Sequence, residues 1–301
     1  MTAIKPSGKS TGDKLFRSIS VGSGILILIA LAAVSGFLLV QALPAFLGNP
    51  PAADGDVLGY LSPLVFGTLY SALIALIFAV PLSIGIGLFI SHYAPRKLAQ
   101  GLGYIVDLLA AVPSVVYGLW GIMVLAPTLQ PIYSWLVDNA SWFPLFSGPV
   151  SGTGRTILTV SIVLAIMILP IMSAIAREIF LQTPRLHQEA ALALGATKWE
   201  MIRLAVFPYA KSGLVSAAML GLGRALGETM AVALVLSPAS VISFNLLTST
   251  NSTTIAANIA LNFPEASGLN VNLLVASGLV LFLITMAVNM LARKIVSGGA
   301  K

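Results

Sequence analysis

The chain has 301 residues, of which 57% are hydrophobic and 9% are charged. A soluble domain carries about a quarter charged residues because water must solvate its surface, so this composition excludes a soluble globular protein. The chain has no cysteine and a formal net charge of +6, which excludes a disulfide framework and a cysteine nucleophile. The basic excess has to be explained by its placement along the chain.

Apolar runs recur along nearly the whole chain and predict an all-α polytopic membrane fold with six transmembrane helices. Each run approaches or exceeds the roughly 20 apolar residues that a helix needs to cross the hydrocarbon core. Strands could cross only as a closed barrel, and the runs lack the alternation of one. The predicted spans cover residues 19–43, 63–90, 98–125, 157–176, 213–237 and 271–292.

These spans divide the chain into four parts. Residues 1–18 are polar and predict a mobile cytoplasmic tail. Residues 19–62 form the first span and an outer loop, residues 63–292 form the core transmembrane domain, and residues 293–301 form a C-terminal cytoplasmic tail.

The placement of lysine and arginine predicts the orientation of the spans. Nearly all of these residues lie in the two tails or in the even-numbered connections, and Arg155 is the exception. By the positive-inside rule, both termini are cytoplasmic. The basic excess is therefore a consequence of topology, and no basic stripe remains to indicate a nucleic-acid partner.

The second outer connection, 126–156, contains aromatic residues among prolines and glycines. Aromatic rings concentrate at the boundary between lipid headgroups and water, which favours an anchoring role, with ligand stacking as the alternative. The residues are Tyr133, Trp135, Trp142 and Phe143.

The connection 177–211 is the longest predicted cytoplasmic one, and charged and apolar residues alternate along it. Residues 188–194 and 196–204 have helical periodicity, and Gly195 separates them. Glycine can adopt a positive φ angle without strain, so two short helices at an angle are expected. Pro208 is expected to end the second helix.

This loop resembles the integral-membrane subunits of ATP-binding-cassette importers. Their signature is Glu-Ala-Ala, three residues, glycine, nine residues, and an apolar position two before Leu-Pro. Here the spacing is kept, with Ala205 and Phe207 in place of the usual isoleucine and leucine. The matching residues are Glu189, Ala190, Ala191, Gly195 and Pro208.

The resemblance implies that the loop is a coupling helix seated on a cytoplasmic ATPase, contacted by Glu189, Ala190 and Gly195. A short amphipathic helix lying on lipid is the alternative. The sequence contains no complete P-loop, because its one Gly-Lys-Ser, residues 8–10, has Ala3 where the first glycine of that motif stands. The chain therefore cannot cradle a nucleotide. The chain is expected to be non-catalytic and to bind no cofactor, with ATP and Mg²⁺ used by the partner ATPase.

Three ionisable residues lie within the predicted spans, namely Asp107, Arg224 and Glu228. Charged groups in hydrocarbon are costly and indicate a pathway or a buried pair. A rise of 1.5 Å per residue places Asp107 about 15 Å and Arg224 about 20 Å from the inner boundary. Either the acids neutralise Arg224 in a static network, or Arg224 offers a planar fork to a tetrahedral oxyanion while the acids hold it.

A second resemblance narrows the family. Residues 221–232, Gly-Leu-Gly-Arg-Ala-Leu-Gly-Glu-Thr-Met-Ala-Val, and residues 111–120, Ala-Val-Pro-Ser-Val-Val-Tyr-Gly-Leu-Trp, are similar to phosphate-specific importer permeases of the PstC type. The resemblance extends from about residue 63 to the C terminus and implies the type I importer permease fold, which is MetI-like. It also implies a location in a bacterial or archaeal cytoplasmic membrane.

The implied partners are a second, PstA-type permease, two PstB-type ATPases, a PstS-type extracytoplasmic phosphate-binding protein, phosphate and the lipid bilayer. A sulfate or molybdate permease would use the same arginine and remains an alternative. An ion-coupled secondary transporter is a second alternative, but no convincing internal repeat supports it.

Overall fold

The computed structural model describes residues 11–54 and 56–298, and this part of the chain is almost entirely helical. The described residues form twelve α-helices in chain order. They are α1 (Thr11–Leu47), α2 (Val57–Leu88), α3 (Arg96–Ala110), α4 (Ser114–Trp120), α5 (Ala126–Ala140), α6 (Ile157–Leu181), α7 (Arg185–Ala193), α8 (Lys198–Met201), α9 (Phe207–Leu226), α10 (Met230–Val235), α11 (Ile255–Asn262) and α12 (Leu269–Gly298).

Among the described residues, six helical stretches are long and apolar enough to cross a membrane, which confirms the predicted number of spans. Four of them contain the predicted first, second, fourth and sixth spans. The stretches are Gly12–Leu47, Val57–Tyr93, Ser114–Ala140, Ile157–Leu181, Lys198–Leu226 and Leu269–Lys294.

Both terminal helices extend into the predicted tails. The helix α1 begins at Thr11, inside the predicted tail 1–18, and residues 1–10 lie outside the described residues. At the other end α12 continues to Gly298, and residues 299–301 lie outside the described part.

The third predicted span, 98–125, is wrong in its bounds. The chain breaks at 111–113 between α3 and α4, because Pro113 has no amide proton and disfavours helical geometry in the residue before it. The stretch that can span is Ser114–Ala140. Pro113 therefore separates two helices completely.

The shift of the third span also changes the role of Tyr133. The prediction that it anchors at the interface is wrong, because Tyr133 lies on α5, is 1% exposed and shares a 2.8 Å hydrogen bond with Thr159. Trp135 also lies on α5 but is exposed, and Trp142 and Phe143 follow the helix. Tyr133 belongs to the core, where its apolar ring is buried and its hydroxyl has a hydrogen-bond partner.

Short π-helical segments precede three prolines, and the second and third of them join consecutive helices. Each segment ends with a hydrogen bond that the backbone amide of the residue just before a proline donates to the first carbonyl of the segment. The segments are Phe89–Tyr93, Gly121–Leu125 and Ile202–Val206, and the prolines are Pro95, Pro127 and Pro208, in that order. A proline cannot donate to the preceding turn, and its ring crowds the carbonyl there. One wider turn relieves that crowding.

This explains why the prediction for Pro208 is wrong. Pro208 begins α9 and does not end a helix, and the stretch Lys198–Leu226 runs as one helical span. The first turn of a helix tolerates proline because its amide groups have no partner within the helix.

The core lies between α2 and α6, which pack along most of their length. The helix α6 also contacts α3 and α9. Its inward side chains are fully buried and form the centre of one apolar cluster that includes Leu164, Met167 and Ile168. The helix α1 packs against α12 and is otherwise mostly exposed.

Candidate functional site

The fifth span is broken beside two of the predicted pathway residues. The helix α9 ends at Leu226 and α10 begins at Met230, so the prediction of one span over 213–237 is wrong there. Glu228 causes part of this break, because its Oε1 accepts a 3.2 Å hydrogen bond from the backbone amide of Ala231. A carboxylate that bonds to a free amide in this way starts a new helix.

Arg224 occupies the last turn of α9, and its side chain is exposed. The side chain does not point into the packed interior of the single chain. The crowded face of α9 is the one with Gly221, where an added Cβ would lie 2.5 Å from the sulfur of Met172 on α6. At Gly223, beside Arg224, an added Cβ would meet no atom within 4 Å. Arg224 therefore faces open space.

The three predicted charges do not form a static network. Asp107 is exposed on α3, while Glu228 is only 8% exposed and caps α10. Within the described part of the chain, no ion pair joins Arg224 to either acid. The depth estimate for Asp107 assumed that residues 98–125 cross the membrane as one span, whereas the stretch that can span begins at Ser114, after Asp107.

Two helix breaks lie close together around Arg224. The helices α4 and α10, which follow the two breaks, pack against each other. Their contact is at Gly118, where an added Cβ would lie 2.9 Å from the Cα of Ala231. Irregular backbone within a membrane is tolerated where it is enclosed by protein or lines a cavity, so this pair of breaks marks a candidate pathway.

Tyr117 bridges the first break and was not singled out from the sequence. Its hydroxyl donates a 2.8 Å hydrogen bond to the carbonyl of Leu109, across the break. The guanidinium of Arg224 is close enough to act electrostatically on this phenol. The sequence feature that could have identified Tyr117 is its position one helical turn after Pro113 in a predicted span.

Arg155 is the second side chain whose role was missed. Its Nε donates to the carbonyl of Val235 at 3.1 Å, and its Nη2 donates to Leu234 and Leu236 at 3.2 and 3.4 Å. These carbonyls end α10. The sequence feature that could have identified Arg155 is that it is the one basic residue in the predicted outer connections.

The cytoplasmic loop has the predicted form in part, because α7 is a separate short helix whereas α8 is the start of the continuous stretch Lys198–Leu226. Gly195 separates α7 from α8 and has a φ angle of +84°, which confirms the expected turn. Thr197 and Glu200 then form a capping box that begins α8. Reciprocal bonds of this kind satisfy two free amides at a helix start.

Four of the five residues of the predicted coupling site line one concave surface, which encloses a volume of about 900 Å³. Ala190, Ala191 and Gly195 border it on the α7 side, and Pro208 borders it on the α9 side. Glu189 is exposed on α7, which has no buried residue. Large apolar side chains are also exposed here, with Leu194 at 89%. Such a patch on a polar loop indicates a protein contact.

Residues 79–297 match the family described as the inner membrane component of binding-protein-dependent transport systems. The match covers more than half of the chain. The chain belongs to this family. It is therefore a multi-pass inner-membrane subunit with a permease role and no catalytic chemistry of its own, as the sequence predicts.

Named relatives identify the branch of the family to which the chain belongs. Phosphate transport system permease protein PstC 2 of Mycobacterium tuberculosis is 45% identical, covering 99% of this chain and 96% of that protein. The corresponding PstC of Mycobacterium leprae is 43% identical over 98% of each chain. PstC of Mesorhizobium japonicum is 40% identical over 93% of this chain and 89% of that protein. The chain belongs to the PstC branch.

Solved structures confirm the predicted type of fold. An inward-facing form of the MetNI methionine ABC transporter matches with a TM-score of 0.58 at 16% identity, covering 80% of this chain and 97% of that chain. A bacterial alginate ABC transporter matches with a TM-score of 0.59 at 17% identity, covering 94% of this chain and 96% of that chain.

Proposed function

We propose that the chain is a permease subunit through which an ATP-driven importer moves inorganic phosphate into the cytoplasm. The observation that carries this proposal is the 40 to 45% identity, over nearly the whole chain, to permeases named for phosphate transport. Similarity that covers every span includes the residues that face the substrate, whereas similarity of fold alone would leave the substrate open.

Arg224 is the residue that contacts the anion in this proposal. Its guanidinium lies at the junction of two broken helices and has no ion-pair partner in the described chain. A planar guanidinium presents paired donors that match a tetrahedral oxyanion. An arginine that is unpaired within its own chain remains available for the passing anion.

The two acids have supporting roles in the pathway. Glu228 caps α10 and thereby keeps the break beside Arg224 open. Asp107 lies in the last turn of α3, immediately before the other break. Its exposed carboxylate lines the approach to the junction and limits how tightly an anion is held there, because like charges repel.

The coupling surface of α7 to α9 binds an ATPase in the assembled importer. Glu189, Ala190 and Ala191 lie on α7, Gly195 sets its angle to α8, and Pro208 closes the concave surface. The full assembly contains a second, PstA-type permease, two PstB-type ATPases that use ATP and Mg²⁺, and a PstS-type binding protein on the outer side.

Uptake of labelled phosphate tests the proposal in cells where this importer is the sole phosphate importer. Expression with its partners should give ATP-dependent phosphate uptake that excess sulfate and molybdate do not inhibit. Inhibition by sulfate, or labelled sulfate uptake in place of phosphate, would assign the chain to another oxyanion. Uptake that persists without the ATPase would contradict the importer class.

A further inference from the structure

The short helix α10 is held at both ends by charged side chains from different parts of the chain. Glu228 accepts from the amide of Ala231 at the N-terminal end, and the guanidinium of Arg155 binds the carbonyls at the C-terminal end. An anion at the start of a helix and a cation at its end both complement the helix dipole. A helix of six residues is unstable by itself, so these caps matter more here than in a long span.

The segment that carries Arg155 is rigid. Gly154 has a φ angle of +68°, and an added Cβ there would lie 2.0 Å from the carbonyl oxygen of Ala126. Thr156 caps α6, and the hydroxyl of Thr159 donates to the carbonyl of Gly154 at 2.6 Å. The guanidinium therefore holds α10 from a fixed point at the start of α6.

The opposite side of α10 lies against α4. The Gly118 contact brings α4 to the backbone of α10, and Val235 approaches Gly121 together with Val163 of α6. Val235 is 0% and Val163 is 1% exposed. Any displacement of α10 would move the 227–229 break, and with it the place of Arg224 beside Tyr117.

We infer that Arg155 is a positioning residue for transport, which holds α10 against α4 and thereby keeps Arg224 at the junction of the two broken helices. It acts through α10 and does not contact the anion. This inference rests on the proposed function for its effect on transport, but its structural part can be measured without transport.

The test uses cysteine protection, because the natural chain contains no cysteine. Val235→Cys places a reporter on α10, and Val163→Cys places a matched reporter on α6 against the same glycine. Each is combined with natural Arg155, with Arg155→Gln and with Arg155→Lys in the assembled importer. Maleimide labelling rates are measured in detergent, and phosphate uptake per assembled complex is measured in cells.

With Arg155→Gln, the Val235→Cys reporter should label about tenfold faster, the order expected when hydrogen bonds to a charged group are lost. The Val163→Cys reporter should stay protected. Phosphate uptake should fall to a similar extent, and Arg155→Lys should restore part of both because its amine can still reach a carbonyl. Arg96→Gln, at the exposed start of α3, is the control and should change neither.

Unchanged protection of Val235→Cys in the Arg155→Gln variant would overturn the inference. Equal labelling of both reporters would also overturn it, because that result describes a general loosening of the bundle. If the natural chain carried no phosphate, the proposed function would fail, whereas the labelling result would still decide the role of Arg155.

Discussion

Arg224 is exposed in the single chain, although a charge at this position in a span has to be solvated by something. The small residues that surround it in sequence act on different faces of α9. Gly221 admits Met172 of α6, whereas Gly223 faces open space. This asymmetry leaves the guanidinium exposed and not inside a packed core, which is why we propose that it contacts the anion.

Replacement of Arg224 by lysine tests that assignment. Lysine keeps the positive charge but loses the paired donors of the guanidinium. We expect Arg224→Lys to assemble normally and to lose at least about tenfold in phosphate uptake, since about 1.4 kcal/mol corresponds to a factor of ten and charged hydrogen bonds exceed it. Arg96→Lys, at the exposed start of α3, is the control. Normal uptake by Arg224→Lys would refute bidentate binding.

The coupling loop shows how one glycine sets the angle between two helices. Gly195 has a positive φ angle, and an added Cβ there would meet no atom within 4 Å. A side chain is therefore disfavoured by backbone conformation and not by crowding. Asparagine tolerates this conformation, whereas β-branched residues do not.

Gly195→Val and Gly195→Asn therefore separate backbone strain from loss of space. We expect Gly195→Val to uncouple ATP hydrolysis from transport or to weaken ATPase association while membrane insertion is retained. Gly195→Asn should keep most of the coupled uptake. ATPase co-purification and uptake are measured for both variants. Full coupling in the valine variant would contradict the assigned role of this turn.

The contact between α4 and α10 depends on a missing side chain at Gly118. Gly118→Ala would place a methyl group 2.9 Å from the backbone of Ala231, and overpacking of this kind costs about 1 to 3 kcal/mol. Gly101→Ala on α3 is the matched control, because no atom lies within 4 Å and alanine favours helix by about 0.5 to 1 kcal/mol.

Thermal unfolding of the purified complex should therefore shift down for Gly118→Ala and stay level or rise for Gly101→Ala. A phosphate uptake assay should follow the same order, since the Gly118 contact sets the position of α10. Equal thermal stability of the two variants would contradict a tight contact between α4 and α10 at Gly118.

Across the whole molecule, six spans place the connections alternately on the two sides of the membrane. The break at 111–113 moves the third span toward the C terminus but leaves the number of crossings unchanged. The helix α3 therefore joins the inner connection that contains Arg96 and Lys97. With these bounds, the placement of lysine and arginine still predicts that both termini are cytoplasmic.

Topology reporters test that orientation. Fusions after Gly152 and after Ser267, both exposed, should read as external, and a fusion after Lys198 should read as internal, because lysine and arginine concentrate on the inner side. Alkaline phosphatase activity and green fluorescence are measured for each fusion. External activity at Lys198 would invert the orientation and would place the coupling surface out of reach of an ATPase.

The number of spans and the turn at Gly195 could be predicted from the sequence, because long apolar runs and an isolated glycine act through local physical chemistry. The bounds of the third span could not. Pro127 and Pro131 are ordinary loop signals, but a π-helical turn and the burial of Tyr133 against α6 keep their segment helical.

The charges of Asp107, Arg224 and Glu228 could also be found in the sequence, but their partners could not. Helical spacing relates residues on one helix, whereas Glu228 caps α10 and Arg155 reaches that helix from the start of α6. Contacts between segments that are far apart in the chain depend on how the helices pack. The sequence by itself therefore determined the membrane class, the number of spans and the turn at Gly195, while the tertiary structure decided where the helices break and which of the three charges is buried.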